Sequence, residues 1–131
     1  MNLTEYFEQK RGLGILGTAD ATGRVHMVIY ARPHVEDDED LIFLLAERKT
    51  YANLQENPHA YYLFKEDGKG FEGIRITLRK TWEEDNPSRT KELLQISHVT
   101  EEGEVATPFH LLHFHVEHVL PLVSQEGQEI I

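Results

Sequence analysis

Leu41 to Phe64 reads LIFLLAERKTYANLQENPHAYYLF, and this stretch leaves the chain few ways to fold. Leu41 to Ala46 is a continuous apolar run, too short for a free-standing helix and preceded by the acidic segment Glu36 to Asp40. Such a run is a strand covered on both faces. Charge returns at Glu47, Arg48 and Lys49. Thr50 is a good N-cap, and Tyr51 to Glu56 is compatible with helix until Asn57-Pro58 stops it. A second mostly apolar run, Ala60 to Phe64, resumes at once. Two buried strands joined by one short helix are expected, with Arg48 and Lys49 where that helix begins. Unpaired N–H groups and the positive end of the helix dipole face outward there and favour an anion, so two cations beside them make a phosphate site. The competing reading is a solvated pair, the ordinary fate of basic side chains.

Charge sharpens that choice. The chain carries 23 acidic against 13 basic residues, a formal balance of −10, so a local Arg-Lys pair is not part of a general basic trend. The same balance argues against nucleic acid, which requires a basic face. The glycine-rich phosphate loop ending in Lys-Ser or Lys-Thr does not occur. At 131 residues the expectation is a single domain, 1–131, large enough to bury a core. The absence of cysteine removes disulfides, thiolate catalysis and cysteine-bound metal. The start, MNLTEYFEQKRG, is polar and charged, unlike a signal peptide, and no apolar run is long enough to span a bilayer. A soluble cytoplasmic protein, with no membrane partner, is expected.

Before the central stretch, Leu3 to Arg11 has Leu3, Tyr6 and Phe7 at helical spacing, with Thr4 as cap and Gly12 at the end. Gly14 to Thr18 and Arg24 to His34 read as strands joined by the turn Asp20 to Gly23. Val25, Met27, Ile29 and Ala31 share one face of the second strand; His26, Val28, Tyr30 and Arg32 share the other. Neither face is wholly polar, so both are expected to meet something. After the turn at Glu66 to Gly70, Phe71 to Trp82 is a long strand with Ile74, Ile76 and Leu78 inward. Asn86 caps a helix whose first residue is Pro87 and which runs to about Ser97. Glu101 to Pro108 is loop, His110 to Val123 the last strand, and SQEGQEII a weakly docked tail. Six strands and three helices, with sequence-adjacent strands joined by tight turns, predict a mainly β fold: a small antiparallel barrel with flanking helices.

The hairpin GILGTADATGRVHMVIYA, the acidic turn and LIFLLAERKTYANLQENPHAYYLF together resemble the FMN-binding split barrels related to pyridoxamine 5′-phosphate oxidase. In that family a strand ends in a basic pair, a short helix stops at Asn-Pro, and a second apolar strand follows. The resemblance runs from about Leu13 to Trp82 and implies a six-stranded antiparallel split barrel, with FMN held at the interface of a homodimer. By position, Arg48 and Lys49 would grip the phosphate, with Thr50 at the helix start beside them. Val28, Ile29, Tyr30 and Ala31 would run along the ring system through backbone groups. Leu44 and Leu45 would lie near the ribityl chain or ring, and Gly73 would permit close approach. The departures are as informative. The family often places a basic residue where Pro33 stands, and no Arg, Lys or Trp follows Lys91, whereas the oxidase has a basic and aromatic C-terminal strand. Vitamin B6 is therefore a poor fit as substrate.

The expected function is a flavin-dependent oxidoreductase acting on a small molecule, with a non-catalytic flavin or haem carrier of the same fold as the alternative. A third possibility is a metal protein built on His110, His113, His115, His118 and Glu117. On a strand, His113, His115 and Glu117 share a face opposite Phe114 and Val116, so plain polar-out, apolar-in alternation explains them equally well. No nucleophile elbow is present, and Glu83-Glu84-Asp85 precede a helix, where negative charge favours the dipole.

Overall fold

The apolar runs form the centre of one antiparallel sheet in the computed structural model, which describes residues 1–96 and 108–123. In chain order the elements are α1 (Leu3–Gln9), β1 (Gly12–Ala19), β2 (Val25–Ile29), β3 (His34–Asp37), β4 (Asp40–Ala46), α2 (Lys49–Glu56), β5 (His59–Glu66), β6 (Gly73–Glu84), α3 (Pro87–Ile96) and β7 (Phe109–Pro121). The spatial order is β2-β1-β5-β6-β7-β4-β3, so β7, the last of the described strands, lies between β6 and β4. The sheet curls until the segment after β2 reaches β4. There the Tyr30 hydroxyl accepts from the Leu44 amide at 2.6 Å and donates to the Leu44 carbonyl at 2.9 Å. One side chain thus occupies the backbone groups that β4 leaves free beyond its short pairing with β3.

Leu41 to Leu45 are all buried, as a strand covered on both faces requires. Leu41, Phe43 and Leu45 enter the main core with Leu16, Tyr62, Phe64, Ile74, Ile76 and Leu78. Ile42 and Leu44 face the other way, into a smaller cluster with Leu93 of α3 and Leu111 of β7. Edge-to-face contacts link Phe7, Phe64, Tyr62, Phe43 and Phe114 through the core, the arrangement aromatic quadrupoles favour. Gly14 makes this packing possible: a Cβ there would lie 2.0 Å from the Tyr62 hydroxyl, which donates to the Tyr30 carbonyl.

Several expectations need correction. The strand count among the described residues is seven, because His34–Asp37 pairs with β4 instead of belonging to β2 or to a turn. β2 stops at Ile29, since Tyr30 turns inward to the split. The first helix is capped by Asn2, whose side chain accepts from the Glu5 amide at 3.0 Å, and ends at Gln9. Thr50 is not the cap of α2: the helix starts at Lys49, two residues before the expected Tyr51, Arg48 holds the N-cap position without a side-chain cap bond, and Thr50 is buried. β5 buries one face only, leaving Tyr61 and Leu63 partly exposed. Both faces of β4 are covered within the chain. The uncovered apolar surface lies instead on β2, where Val25, Met27 and Ile29 are 75, 65 and 75 % exposed. Asn86 does cap α3, accepting from the Arg89 amide at 3.1 Å. The strand-like alternation at the last strand also fails at His113, which is inside. His98, most of the expected loop and the tail lie outside the described residues.

Candidate functional site

The end of β4 presents Arg48 and Lys49 at the start of α2, both exposed. The helix is held against the sheet by Asn53, which donates to the Thr18 hydroxyl at 3.1 Å, and by Glu56, which accepts from the Ala21 amide at 3.2 Å. Its C-terminal half therefore lies beside the β1–β2 turn. Asp20 in that turn is held below the usual carboxylate range, chiefly by the Thr22 hydroxyl and with a smaller contribution from the Lys49 charge. Tyr51 and Gln55 both donate to Glu83, which fixes the helix to the far end of β6.

Next to the split is a cavity of about 560 Å³ between α1, the β2–β3 connection, β4 and α3. Tyr30, Ala31 and Leu44 line it, and the rim includes Arg11 and Arg32. Burial raises the Tyr30 hydroxyl well above the normal tyrosine value, so it stays protonated and able to donate to Leu44. The fold thus gathers Tyr30, Ala31 and Leu44 at the cavity and Arg48, Lys49 and Thr50 at the end of the same strand. The other expected contacts lie elsewhere. Val28 packs against the main core, Leu45 is inside it, and Ile29 is on the exposed outer face of β2. Gly73 pairs with Lys65, at the end of β5 remote from α2. Its φ of +151° and the 2.0 Å that would separate a Cβ from the Phe64 carbonyl show a close approach of two strands. Arg11, Arg32 and Leu93 were not anticipated; the interruption at Pro33 was the one local sign that the chain bends around something there.

The histidines do not converge. Among the described residues no group of three or more histidine, aspartate or glutamate side chains is arranged to hold a metal. His110 stacks on Tyr51 with ring centroids 4.3 Å apart. His113 is only 2 % exposed; its Nδ1 meets Asp40 at 3.0 Å and its Nε2 meets Glu84 at 2.7 Å. Both ring nitrogens are thus within hydrogen-bond distance of a carboxylate. Arg89 extends the network, reaching Glu84 at 2.9 Å and Glu36 at 2.7 Å. Burial alone would raise the Glu84 carboxyl, but His113 and Arg89 outweigh it and hold it below its ordinary value. The cluster joins β3, β4, β6, β7 and α3, and its chemistry is structural.

The model of the pyridoxamine 5′-phosphate oxidase family matches residues 3–122. The chain belongs to that family. Several solved structures share its split-barrel fold. An FMN-binding protein from Syntrophomonas wolfei superposes with a TM-score of 0.72 at 21 % identity, over 92 % of this chain and 83 % of the other. A pyridoxamine 5′-phosphate oxidase-like protein from Listeria innocua gives 0.67 at 20 %, over 93 and 96 %. HutZ, the haem storage protein of Vibrio cholerae, gives 0.65 at 20 %, over 91 and 92 %. No match is found among curated proteins. One fold thus carries both an FMN-binding protein and a haem storage protein. Among the described residues no helix is long and apolar enough to cross a membrane.

Proposed function

We propose that this protein binds FMN and acts in the cytoplasm as a flavin-dependent oxidoreductase on a small molecule, as a homodimer with the cofactor at the subunit interface. The observation that carries the reading is the layout along β4. Leu44 faces the cavity with Tyr30 and Ala31, and Arg48 and Lys49 follow at the start of a helix. Arg48 lies four positions beyond Leu44, at most about 14 Å of chain, the scale of a ribityl chain with its phosphate. Arg48 and Lys49 would hold the phosphate at the α2 N-terminus, and Tyr30, Ala31 and Leu44 would border the ring. Bound there, the flavin would supply two-electron redox chemistry, and the protein's part is to bind, orient and exclude water. The exposed apolar row Val25, Met27 and Ile29 on β2 favours a second copy as cover, since such surfaces mark interaction sites. The missing C-terminal basic and aromatic groups keep vitamin B6 out of the proposal.

Fluorescence-quenching titration of FMN and riboflavin against wild type and Lys49→Ala tests the phosphate assignment. A charge-assisted contact at a helix terminus is worth roughly 1.5–3 kcal/mol, so FMN should weaken about ten- to a hundredfold. Riboflavin, which lacks the phosphate, should barely change. An unaltered FMN affinity removes the site, and equal loss of both ligands means general damage. Turnover with NAD(P)H and an acceptor then separates an oxidoreductase from a carrier, and a Soret band in the purified protein would favour haem.

A further inference from the structure

We propose that the cavity beside the split binds a small, flat organic acid as the substrate, its apolar body against Val35, Ile42, Leu44 and Leu93 and its carboxylate at Arg11 and Arg32. As a substrate site this rests on the flavin reading; as an acid-binding site it stands on the cavity alone. The volume, about 560 Å³, is that of a small-molecule pocket. The floor is aliphatic and aromatic, with Phe7 and Tyr30 as walls, which excludes a strongly hydrated ligand.

The rim reverses the charge of the chain. Arg11 and Arg32 face the single acidic rim residue Glu8, two cations to one anion, in a protein with 13 basic and 23 acidic residues. Arg32 is held in place: one terminal nitrogen of its guanidinium donates to the carbonyls of Phe7 and, at 3.1 Å, of Lys10, at the C-terminal end of α1. That anchoring uses one of the fork's nitrogens and leaves the others for an acceptor. The Arg11 side chain has no protein partner among the described residues. One fixed and one unengaged guanidinium at the mouth of an apolar cavity match a carboxylate on a hydrophobic body. Tyr30, Ala31 and Leu44 belong both to this cavity and to the proposed ring site, so a flat acid seated here would lie against the flavin.

The test is calorimetric titration of 2-naphthoate and its neutral counterpart 2-naphthol into flavin-free and FMN-loaded protein, wild type and Arg11→Gln. Arg11 makes no side-chain contact that the fold needs, and Arg11→Lys serves as the charge-retaining control. Naphthoate should bind both forms roughly tenfold or more tightly than naphthol. Arg11→Gln should remove most of that preference, leave naphthol within about twofold, and leave FMN affinity unchanged; Arg11→Lys should restore much of it. Equal affinity for acid and alcohol, or an Arg11→Gln protein with the preference intact, overturns the proposal. Mutual exclusion of FMN and naphthoate also overturns it, because the cavity would then be the ring's own pocket. Arg11-dependent naphthoate binding by a protein that takes up no FMN would keep the acid site and refute the flavin reading.

Discussion

Replacing His113 by Leu should cost roughly 3 kcal/mol of folding free energy, because it breaks a charge network without creating a large cavity. The His113 ring bonds the carboxylates of Asp40 and Glu84, and hydrogen bonds to charged groups are worth about 1.5–3 kcal/mol each. The Asp40 side chain is 32 % exposed and can rehydrate, so its bond counts at the low end; Glu84, at 10 %, cannot, though Arg89 still partners it. The ring also stacks on Trp82 at 4.3 Å, a contact worth about 0.5–1.5 kcal/mol. Leucine recovers part of the loss through apolar burial, which brings the total to about 3 kcal/mol. Urea unfolding followed by emission is a direct assay, since Trp82 is the sole tryptophan and lies on the mutated ring. With a slope near 2 kcal/mol/M the midpoint should fall by about 1.5 M. A double-mutant cycle with Glu84→Leu should give a coupling of about 1–3 kcal/mol. A midpoint shift under about 0.5 M, with coupling near zero, would show that the network contributes no more than an exposed ion pair and refute the reasoning.

Gly73→Ala should cost at least about 3 kcal/mol, because it adds a methyl within 2.0 Å of the Phe64 carbonyl at positive φ. Gly23→Ala, also at positive φ but with nothing within 4 Å, should cost only about 1 kcal/mol; thermal melts of the two compare clash with strain alone. Lowering the pH should destabilise the fold through Glu84 and Glu36, the latter held down chiefly by its bond to Arg89. Their folded values are depressed, so their contribution is complete above the ordinary carboxylate value of 4.5 and is lost as the pH falls through the folded values. Denaturant midpoints between pH 6 and pH 3 check this, and Arg89→Gln should flatten the curve. Met27→Asp, on the exposed row of β2, should weaken the proposed dimer at least tenfold in light scattering and reduce FMN retention with it; an unchanged mass would place the interface elsewhere.

Much of the sheet was legible because its strands obey simple periodicities. Ile74, Ile76 and Leu78 alternate inward along β6, Leu41 to Ala46 is a strand buried on both faces, and Asn86-Pro87 opens α3 as cap and first residue should. β3 was hidden because His34–Asp37 has the composition of a turn and becomes a strand only by pairing with β4. Alternation failed at His113 for two reasons. β6 shifts register between Lys80 and Trp82, and β7 is buried without interruption from Leu111 to Phe114, so both of its faces are inside. The basic pair at the start of α2 was readable from local signals, whereas the cavity was not. Its rim joins Arg11, just past α1, to Arg32, beyond β2, and only the packing of α1 on the split brings them together.

The position of β7 constrains how the molecule comes into being. Until Phe109–Pro121 is in place, β4 and β6 each have an unsatisfied row of backbone groups, and the Asp40–His113 bond spans 73 residues. During synthesis the hairpin of β1 and β2 and the pair β5–β6 can assemble as they leave the ribosome, while β4 waits for a partner made last. Closing so large a loop is an entropic burden that makes the final insertion slow relative to hairpin formation. A nascent chain stalled before Phe109 would carry two open strand edges, one of them the most apolar segment of the sequence, and would be a template for association with its neighbours.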